Sequence, residues 1–162
     1  MPHWREWWGE AETELGYLRD MLAGRDTTRP FLFLLDDTPA GYIQNWYIAD
    51  HLREPWLSKA PWLKQVPTGS IGVDMAIGNP NLLSKGLGSA VLTAFTTRLR
   101  SEGYEDILID PDTTNTRAIR AYEKAGFRTL IVSRESPEDG DTSVQIMRLM
   151  PEDTQTDSEM AT

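Results

Sequence analysis

Cysteine is absent from the 162 residues of this chain. A chain without thiols forms no disulfide bond, no thiolate zinc site and no cysteine nucleophile. Its two histidines, His3 and His51, are isolated and lack the spacing of a metal site. We therefore expect no bound metal, and a chain without disulfides is compatible with the cytoplasm.

Long apolar runs are also missing. Runs such as Phe31–Leu35 are far shorter than the roughly 20 apolar residues that a membrane-spanning helix needs. The first residues lack the basic region and the apolar run of a signal peptide. The sequence therefore predicts a cytoplasmic protein that has no membrane partner.

Basic residues are scarce: 16 Lys and Arg stand against 25 Asp and Glu, a formal net charge of −9. No basic stripe is available to meet nucleic-acid phosphates, so we expect no nucleic-acid partner. An acidic surface can attract a cationic substrate, although solubility alone also explains the charge. Residues 151–162 hold four of the acids and no base, and we expect a disordered tail after a single domain formed by residues 1–150.

Apolar periodicity predicts the element order α–β–β–β–α–β–α–β–β. A helix from about Glu10 precedes a hairpin with strands at 30–35 and 41–50 around the turn "DDTPAG". Strands at 70–78 and 105–111 flank a helix that starts near Leu87, and "NTRAIRAYEKAGF" forms a second helix before the last two strands. The expected fold class is α/β (α+β), a mixed, mostly antiparallel sheet flanked by helices.

The stretch from His51 to Thr68 is predicted to be a long irregular loop. Loops of this length are often lids or binding loops. Two of its residues, Trp56 and Trp62, would then either close over a sugar ring or pack a small core.

The segment "LLSKGLGS" places two glycines where a helix begins. Unpaired N–H groups and the helix dipole form an anion site there, and glycine lets a phosphate approach the backbone. A tight turn with close helix packing explains the glycines equally well. The P-loop pattern and the dinucleotide fingerprint both fail, because no Lys-Ser/Thr pair follows the last glycine and position 91 is Val. The candidate anion-binding residues are Lys85, Gly86, Leu87, Gly88 and Ser89.

Together, "LLSKGLGSAV" and "NTRAIRAYEKAGF" resemble the acetyl-CoA-binding core of the GNAT N-acetyltransferases. This resemblance implies that the glycine loop cradles the pyrophosphate of coenzyme A. It also implies that Asn115 and Tyr122 lie beside the cofactor thiol.

A narrower resemblance, to the aminoglycoside 6'-N-acetyltransferases, rests on "REWWGE", "TPAGYIQ", "GVDMAIGNPNLLSKGLG" and "IDPDTTNTRAIRAYEKAGF". Asp74 lies eleven residues before Lys85, as in that branch, and an Asp110-Pro111 pair ends the following strand. The resemblance implies that Trp7 and Trp8 line the acceptor pocket. The family pattern has a strand and a helix before the Trp-Trp-Gly, whereas this chain starts near that motif, so the first strand is expected to be missing. Either the start is truncated or the first strand is dispensable, and a partner can pair with the sheet edge that results.

Acetylating an amine requires removing its proton, polarising the thioester carbonyl and stabilising the departing thiolate. Asp74 is the candidate for accepting the proton or anchoring the ammonium, with Asp110 as a second carboxylate. Tyr122 is the candidate acid, and backbone N–H groups near Met75 and Ile77 would polarise the carbonyl. Each has a structural alternative: a solvent-facing Asp74, a turn cap for Asp110 and a core Tyr122.

The polar residues of the helix predicted at "NTRAIRAYEKAGF" can also be interpreted in two ways. Asn115 is a candidate cofactor ligand and also a good N-cap. Arg117, Arg120 and Lys124 can meet cofactor phosphates or can simply form a solvated helix face.

The function expected from the sequence is acetyl-CoA-dependent N-acetylation of a cationic small-molecule amine, with the 6'-amine of an aminoglycoside as the first candidate. One alternative is acylation of a siderophore precursor or polyamine, and another is a non-catalytic coenzyme A-binding module. We expect a monomer or a homodimer.

Overall fold

A computed structural model describes residues 8–134 and 142–151. Within these ranges the helices are α1 (Ala11–Leu22), α2 (Leu87–Ser101) and α3 (Thr116–Lys124), with one further helical turn at Trp56–Lys59. The strands are β1 (Arg29–Leu35), β2 (Thr38–Tyr47), β3 (Ile71–Ile77), β4 (Ile107–Ile109), β5 (Phe127–Arg134) and β6 (Ser143–Leu149). This order matches the predicted one. Trp7, the turn at 136–141 and residues 152–162 lie outside the described residues.

The six strands form one sheet in the order β1-β2-β3-β4-β6-β5. All neighbours pair antiparallel except β3 and β4, which pair parallel. The predicted fold class, a mixed and mostly antiparallel sheet with flanking helices, is therefore confirmed. β1 lies at an edge of this sheet, and its Leu32 and Leu34 side chains are exposed.

The β1–β2 hairpin turns more tightly than the sequence predicts. Leu35 pairs with Thr38, and the turn consists of Asp36 and Asp37, which both have positive φ angles. Two consecutive residues with positive φ characterise the type I' turn, whose twist matches that of the flanking strands, and aspartate tolerates it. Thr38, Pro39 and Ala40 therefore belong to β2 and not to the predicted turn, and β2 ends at Tyr47, where a 3-10 turn, Ile48–His51, begins.

Strands β3 and β4 separate soon after they meet. Their pairing is limited to Ile71 with Ile107 and Gly72 with Leu108, whereas β3 stays paired to β2 as far as Ile77. The Ile71 N–H donates to the Asp106 carbonyl oxygen at 2.9 Å, so the backbone groups of Ile71 point toward β4. The two-residue period of a strand turns those of Met75 and Ile77 to the same side. Both therefore face the gap that opens between the two strands.

Two apolar clusters cover the two faces of the sheet. The first packs α2 and α3 against one face and includes Leu92, Phe95, Ile107 and Phe127. The second includes Trp62, Leu63, Leu108 and Ile146, and it lies on the opposite face because Ile107 and Leu108 are consecutive strand residues.

The segment from His51 to Thr68 contributes Trp62, Leu63 and Val66 to this second cluster and is more regular than predicted. It contains a helical turn, Trp56–Lys59, and a 3-10 turn, Pro61–Gln65. Trp62 is only 2% exposed, so the interpretation that it closes over a sugar ring is wrong. The physical reason is that this segment covers an apolar sheet face, which leaves Trp62 beneath it. Trp56 is 40% exposed, and its ring lies 5.0 Å from that of His51.

No helix within the described ranges has the length and apolar character needed to cross a membrane.

Candidate active site

The segment between β3 and α2 exposes backbone N–H groups. Gly86 is the N-cap of α2 with φ of 80°, and the Ala90 N–H returns to the Gly86 carbonyl oxygen at 3.1 Å. The N–H groups of Leu87, Gly88 and Ser89 precede that bond and so have no acceptor within the helix. The positive end of the helix dipole adds to them, which makes this helix start suitable for an anion.

The two glycines of this segment are there for different reasons. Gly86 has a left-handed backbone that side-chain-bearing residues rarely adopt. Gly88 lies inside the helix, and a Cβ built on it would be 3.8 Å from both the Ala121 Cβ and the Ile77 Cδ1, which is ordinary contact. Protein packing therefore does not require glycine at position 88. Its effect is to keep the neighbouring cleft open.

This cleft, of about 400 Å³, lies between β3, the glycine segment and α3. Three cations of α3 line it: Arg117, Arg120 and Lys124. The structure thus brings Arg117 to the predicted place, while the exposed Lys85 and the Leu87 side chain are outside the lining. The predicted binding residues that do line it are Met75, Ile77, Gly86, Gly88, Ser89, Asn115, Arg117 and Tyr122.

A second cavity, of about 250 Å³, adjoins the basic cleft and is acidic. Three carboxylates line it, from Asp74, Asp110 and Asp112. The two cavities share four lining residues, and these mark the junction between them: Trp8, Met75, Asn115 and Tyr122. Asp74 and Met75 are consecutive on β3 and face opposite sides of the sheet, so the gap between β3 and β4 is where the cavities connect.

Asp74 is partly buried and is held by β2. Register places Gln44 directly opposite it, and the Gln44 Nε2 donates to Asp74 Oδ2 at 2.8 Å. The Tyr42 hydroxyl in turn donates to Gln44 Oε1 at 2.5 Å. Burial raises the pKa of Asp74, and Gln44, Trp46 and the nearby His51 oppose that rise. The result is a carboxylate that takes up a proton more readily than an exposed one.

Tyr122 is buried in the first apolar cluster and still reaches the junction. Burial raises the pKa of its phenol, and the charges of Asp74 and Asp110 raise it further. Tyr122 is therefore a neutral hydrogen-bond donor at physiological pH. Tyr122 therefore packs the core, as one interpretation predicts, and it also borders both cavities; its role as an acid stays a prediction.

The Asn115 side chain caps a helix and also lines the two cavities. Its Oδ1 accepts a hydrogen bond from the Ala118 N–H at 3.2 Å, which caps α3. The same side chain lines both cavities, where its amide N–H groups can donate to a ligand.

Trp8 lines both cavities and packs edge-on against Tyr42 with ring centroids 5.7 Å apart. Its predicted companion, Trp7, lies outside the described residues. Sequence reasoning missed Tyr42, Gln44 and Asp112. Asp112 follows Asp110 closely enough to have been considered, whereas the roles of Tyr42 and Gln44 depend on the register of β2 with β3.

Comparison with known proteins agrees with this geometry. The family model described as "Acetyltransferase (GNAT) domain" matches residues 1–131, a range that contains every residue lining the two cavities. The chain therefore belongs to the GNAT acetyltransferase family, as the motif resemblance predicts.

Among individual relatives, the aminoglycoside N(6')-acetyltransferase type 1 of Klebsiella pneumoniae is 35% identical over 133 residues, covering 77% of this chain. This chain matches 63% of that protein's length, less than two thirds. A kanamycin resistance protein of Rhizobium radiobacter is 39% identical over 67 residues, which cover 41% of this chain and 62% of that protein.

Solved structures of AAC(6')-Ib are similar in fold. One, in complex with ribostamycin and coenzyme A, has a TM-score of 0.77 at 28% identity, covering 98% of this chain and 88% of the other. Another, with coenzyme A and kanamycin, has a TM-score of 0.72 at 26% identity, covering 92% and 83%.

Proposed function

We propose that this chain is an acetyl-CoA-dependent N-acetyltransferase that acts on a primary amine of a cationic small molecule, with the 6'-amine of an aminoglycoside as the first candidate. One observation carries the proposal: a cleft with three cations joins a cavity with three carboxylates, and Tyr122 stands at the junction. An anionic cofactor and a cationic acceptor would meet there. The relatives whose structures contain coenzyme A with ribostamycin or kanamycin support this assignment.

The basic cleft fits the phosphates of coenzyme A. The helix start offers the N–H groups of Leu87, Gly88 and Ser89, and a side chain at Gly88 would fill the space that the cofactor needs. Arg117, Arg120 and Lys124 would neutralise its phosphate charge. Bound acetyl-CoA supplies the activated acetyl group, and every other component of the reaction comes from the acceptor and this chain.

Asp74 would bind the acceptor ammonium and take its proton. A free alkyl ammonium has a pKa near ~10, so at neutral pH the amine is protonated and is no nucleophile. The raised pKa of Asp74 makes it a better base than an exposed carboxylate. Asp110 and Asp112 lie in the same cavity and would hold further ammonium groups of a polycation.

Tyr122 would act on the departing sulfur. A thiol has a pKa near ~8.5, so a phenol of raised pKa stabilises the thiolate mainly by donating a hydrogen bond. A bound cation would offset the charges of Asp74 and Asp110 and thereby lower the pKa of Tyr122, which favours proton transfer in the loaded enzyme. Backbone groups of Met75, which face the gap between β3 and β4, are suited to polarise the carbonyl.

The direct test is thiol release from acetyl-CoA in the presence of kanamycin or ribostamycin, with NMR of the product to locate the acetyl group. We expect turnover and a 6'-acetyl product. Turnover with hydroxylated lysine or ornithine alone would redirect the assignment to a siderophore-type acyltransferase. Coenzyme A binding without turnover of any amine would identify a binding module instead.

A further inference from the structure

Trp46 and Gly72 face each other across β2 and β3, next to the Gln44–Asp74 pair. The register pairs Gln44 with Asp74 and Trp46 with Gly72. Since alternate strand residues share a face, all four lie on the acidic side of the sheet. Trp46 is thus the diagonal neighbour of Asp74, within reach of a long aromatic side chain.

Gly72 lets the indole of Trp46 lie directly on β3. A Cβ at position 72 would overlap the six-membered ring of Trp46 and would be 2.6 Å from its Nε1, far inside any allowed contact. The indole nitrogen therefore rests against β3 only two residues before Asp74.

Aromatic neighbours hold the indole in this position. The His51 ring lies edge-on at 4.9 Å between centroids, and that of the buried Trp62 lies at 6.3 Å. His51 is itself anchored, since its Nδ1 is 2.8 Å from the Tyr47 carbonyl oxygen. The partly buried Trp46 ring therefore packs between the sheet and the 48–66 segment.

We propose that Trp46 is a positioning residue for Asp74: its indole N–H donates to the Asp74 carboxylate and, with Gln44, keeps that carboxylate ionised and aimed into the acidic cavity. The base role of Asp74 rests on the proposed function, whereas the hydrogen bond does not. Two donors serve a clear purpose here. Burial favours the protonated acid, and a base must be ionised before it can accept a proton.

Other ionisable groups also lie around Asp74, and of these His51 opposes the rise in its pKa through charge. Those that interact with it or share its cavity are Glu14 on α1, Tyr42 on β2, His51 on the 3-10 turn, Asp110 and Asp112 after β4 and Tyr122 on α3. Within the described part of the chain, the Gln44 Nε2 donates to Asp74 Oδ2, and Trp46 likewise opposes the rise in the pKa of Asp74.

The test is Trp46→Phe, which keeps an aromatic ring and removes the N–H. We expect kcat/KM for the amine to fall about tenfold at neutral pH, the size of one hydrogen bond to a charged group. The acid limb of its pH profile should move to higher pH, because loss of a donor to the carboxylate raises the pKa of Asp74. The KM for acetyl-CoA should stay unchanged.

Gly72→Ala gives an independent test, because its methyl group must push the indole off β3 while leaving the N–H in the chain. It should move the acid limb in the same direction as Trp46→Phe. Tyr47→Phe is the matched control: it removes a hydroxyl group from the next residue of β2, on the opposite face, where that hydroxyl accepts a hydrogen bond from the Tyr104 hydroxyl. That control should leave the acid limb in place.

A readout that does not depend on catalysis separates this inference from the proposed function. The Asp74 carboxyl carbon, identified by its loss in Asp74→Asn, is titrated by NMR in the wild-type protein and in Trp46→Phe. A midpoint that moves to higher pH in the variant supports the hydrogen bond even if the wild type acetylates no amine. Equal midpoints, or the same movement in Tyr47→Phe, would overturn it.

Discussion

Asp74 shows how much a single residue depends on its neighbours. Burial disfavours its charge, while donors from β2 favour it, and the pKa remains above its ordinary value. The same carboxylate helps to keep Tyr122 neutral. The charge of the proposed base thus raises the pKa of the proposed acid, and such shifts are common in acid–base sites.

Replacing Asp74 with Asn should lower kcat by roughly 10²–10⁴-fold, the usual contribution of a general base. The loss should be greatest at low pH, where the amine is most fully protonated, and should shrink as pH rises. A pH series of thiol-release rates tests this, with Asp36→Asn in the exposed hairpin turn as control. Equal losses at every pH would argue against the base role.

The same Asp74→Asn variant should be more stable than the wild type at neutral pH. Because the folded pKa of Asp74 is raised, its contribution to stability is complete below the unfolded pKa near ~3.9 and is lost as pH rises through the folded value. Asn does not ionise and avoids that loss. Thermal melting across pH should show a gain above the folded pKa that vanishes in acid; a constant difference would contradict this account.

At the scale of elements, the start of α2 combines a backbone requirement with a ligand requirement. Gly86 supplies the left-handed turn that ends the loop, and Gly88 leaves the cleft unobstructed. Both positions present N–H groups at the same helix end, so one short segment shapes the turn and the anion site together.

Gly88→Ala should separate folding from binding. The methyl group makes only ordinary contacts, and alanine favours the helix by up to about 1 kcal/mol, so Tm should rise by roughly 2–4 °C. Affinity for acetyl-CoA should nevertheless fall at least about tenfold, because the methyl group occupies the cleft. Calorimetry of cofactor binding, together with melting curves, measures both effects.

Gly16→Ala in α1 is the control for this substitution, since a Cβ there meets no atom within 4 Å. It should raise Tm in a similar way and leave cofactor affinity unchanged. If Gly88→Ala binds acetyl-CoA with unchanged affinity, glycine at position 88 is not needed to keep the cleft open for the cofactor.

Helix α3, and not Lys85, carries the cations that line the cleft. Arg120→Ala should raise KM for acetyl-CoA about tenfold, as expected for one charge-assisted hydrogen bond. Lys85→Ala removes an exposed charge and should change KM less than about twofold. Steady-state kinetics decide between them, and a larger effect at Lys85 would reverse the assignment.

For the whole molecule, charge of one sign dominates, with a net −9, yet the cleft beside α3 is basic. Acidic and basic side chains are therefore segregated around the site, with the cations in the cleft beside α3 and the carboxylates in the neighbouring cavity. Long-range attraction would favour the arrival of a polycation, whereas an anionic cofactor depends on local cations.

Ionic strength tests this separation. Raising salt from about 0.01 M to 1 M shortens the screening length from roughly 30 Å to 3 Å. We expect kcat/KM for a polycationic amine to fall by at least about tenfold over that range, and kcat at saturation to change little. A series of neutral salt concentrations at constant pH measures this dependence. A kcat/KM that does not change with salt would exclude electrostatic steering.

Local sequence patterns correctly predicted the helices and strands that carry the site. The β3–α2–β4–α3 order followed from apolar periodicity, from Asn115 as N-cap and from glycines at helix ends. Predictions were wrong where tertiary contacts decide the outcome. The hairpin turn consists only of Asp36 and Asp37, and Trp62 is buried in the core. Whether the protein is a monomer or a homodimer stays a prediction.

By itself, the sequence determined the family, the order of elements and the loop that leaves helix amides unpaired, since these depend on neighbouring residues. Only the tertiary structure decided that β3 and β4 part after Gly72, that β2 places Gln44 opposite Asp74 and Trp46 diagonal to it, and that α3 supplies the cleft's cations. The physical reason is that strand register and helix docking bring together residues far apart in the chain. No local pattern encodes which of them will meet.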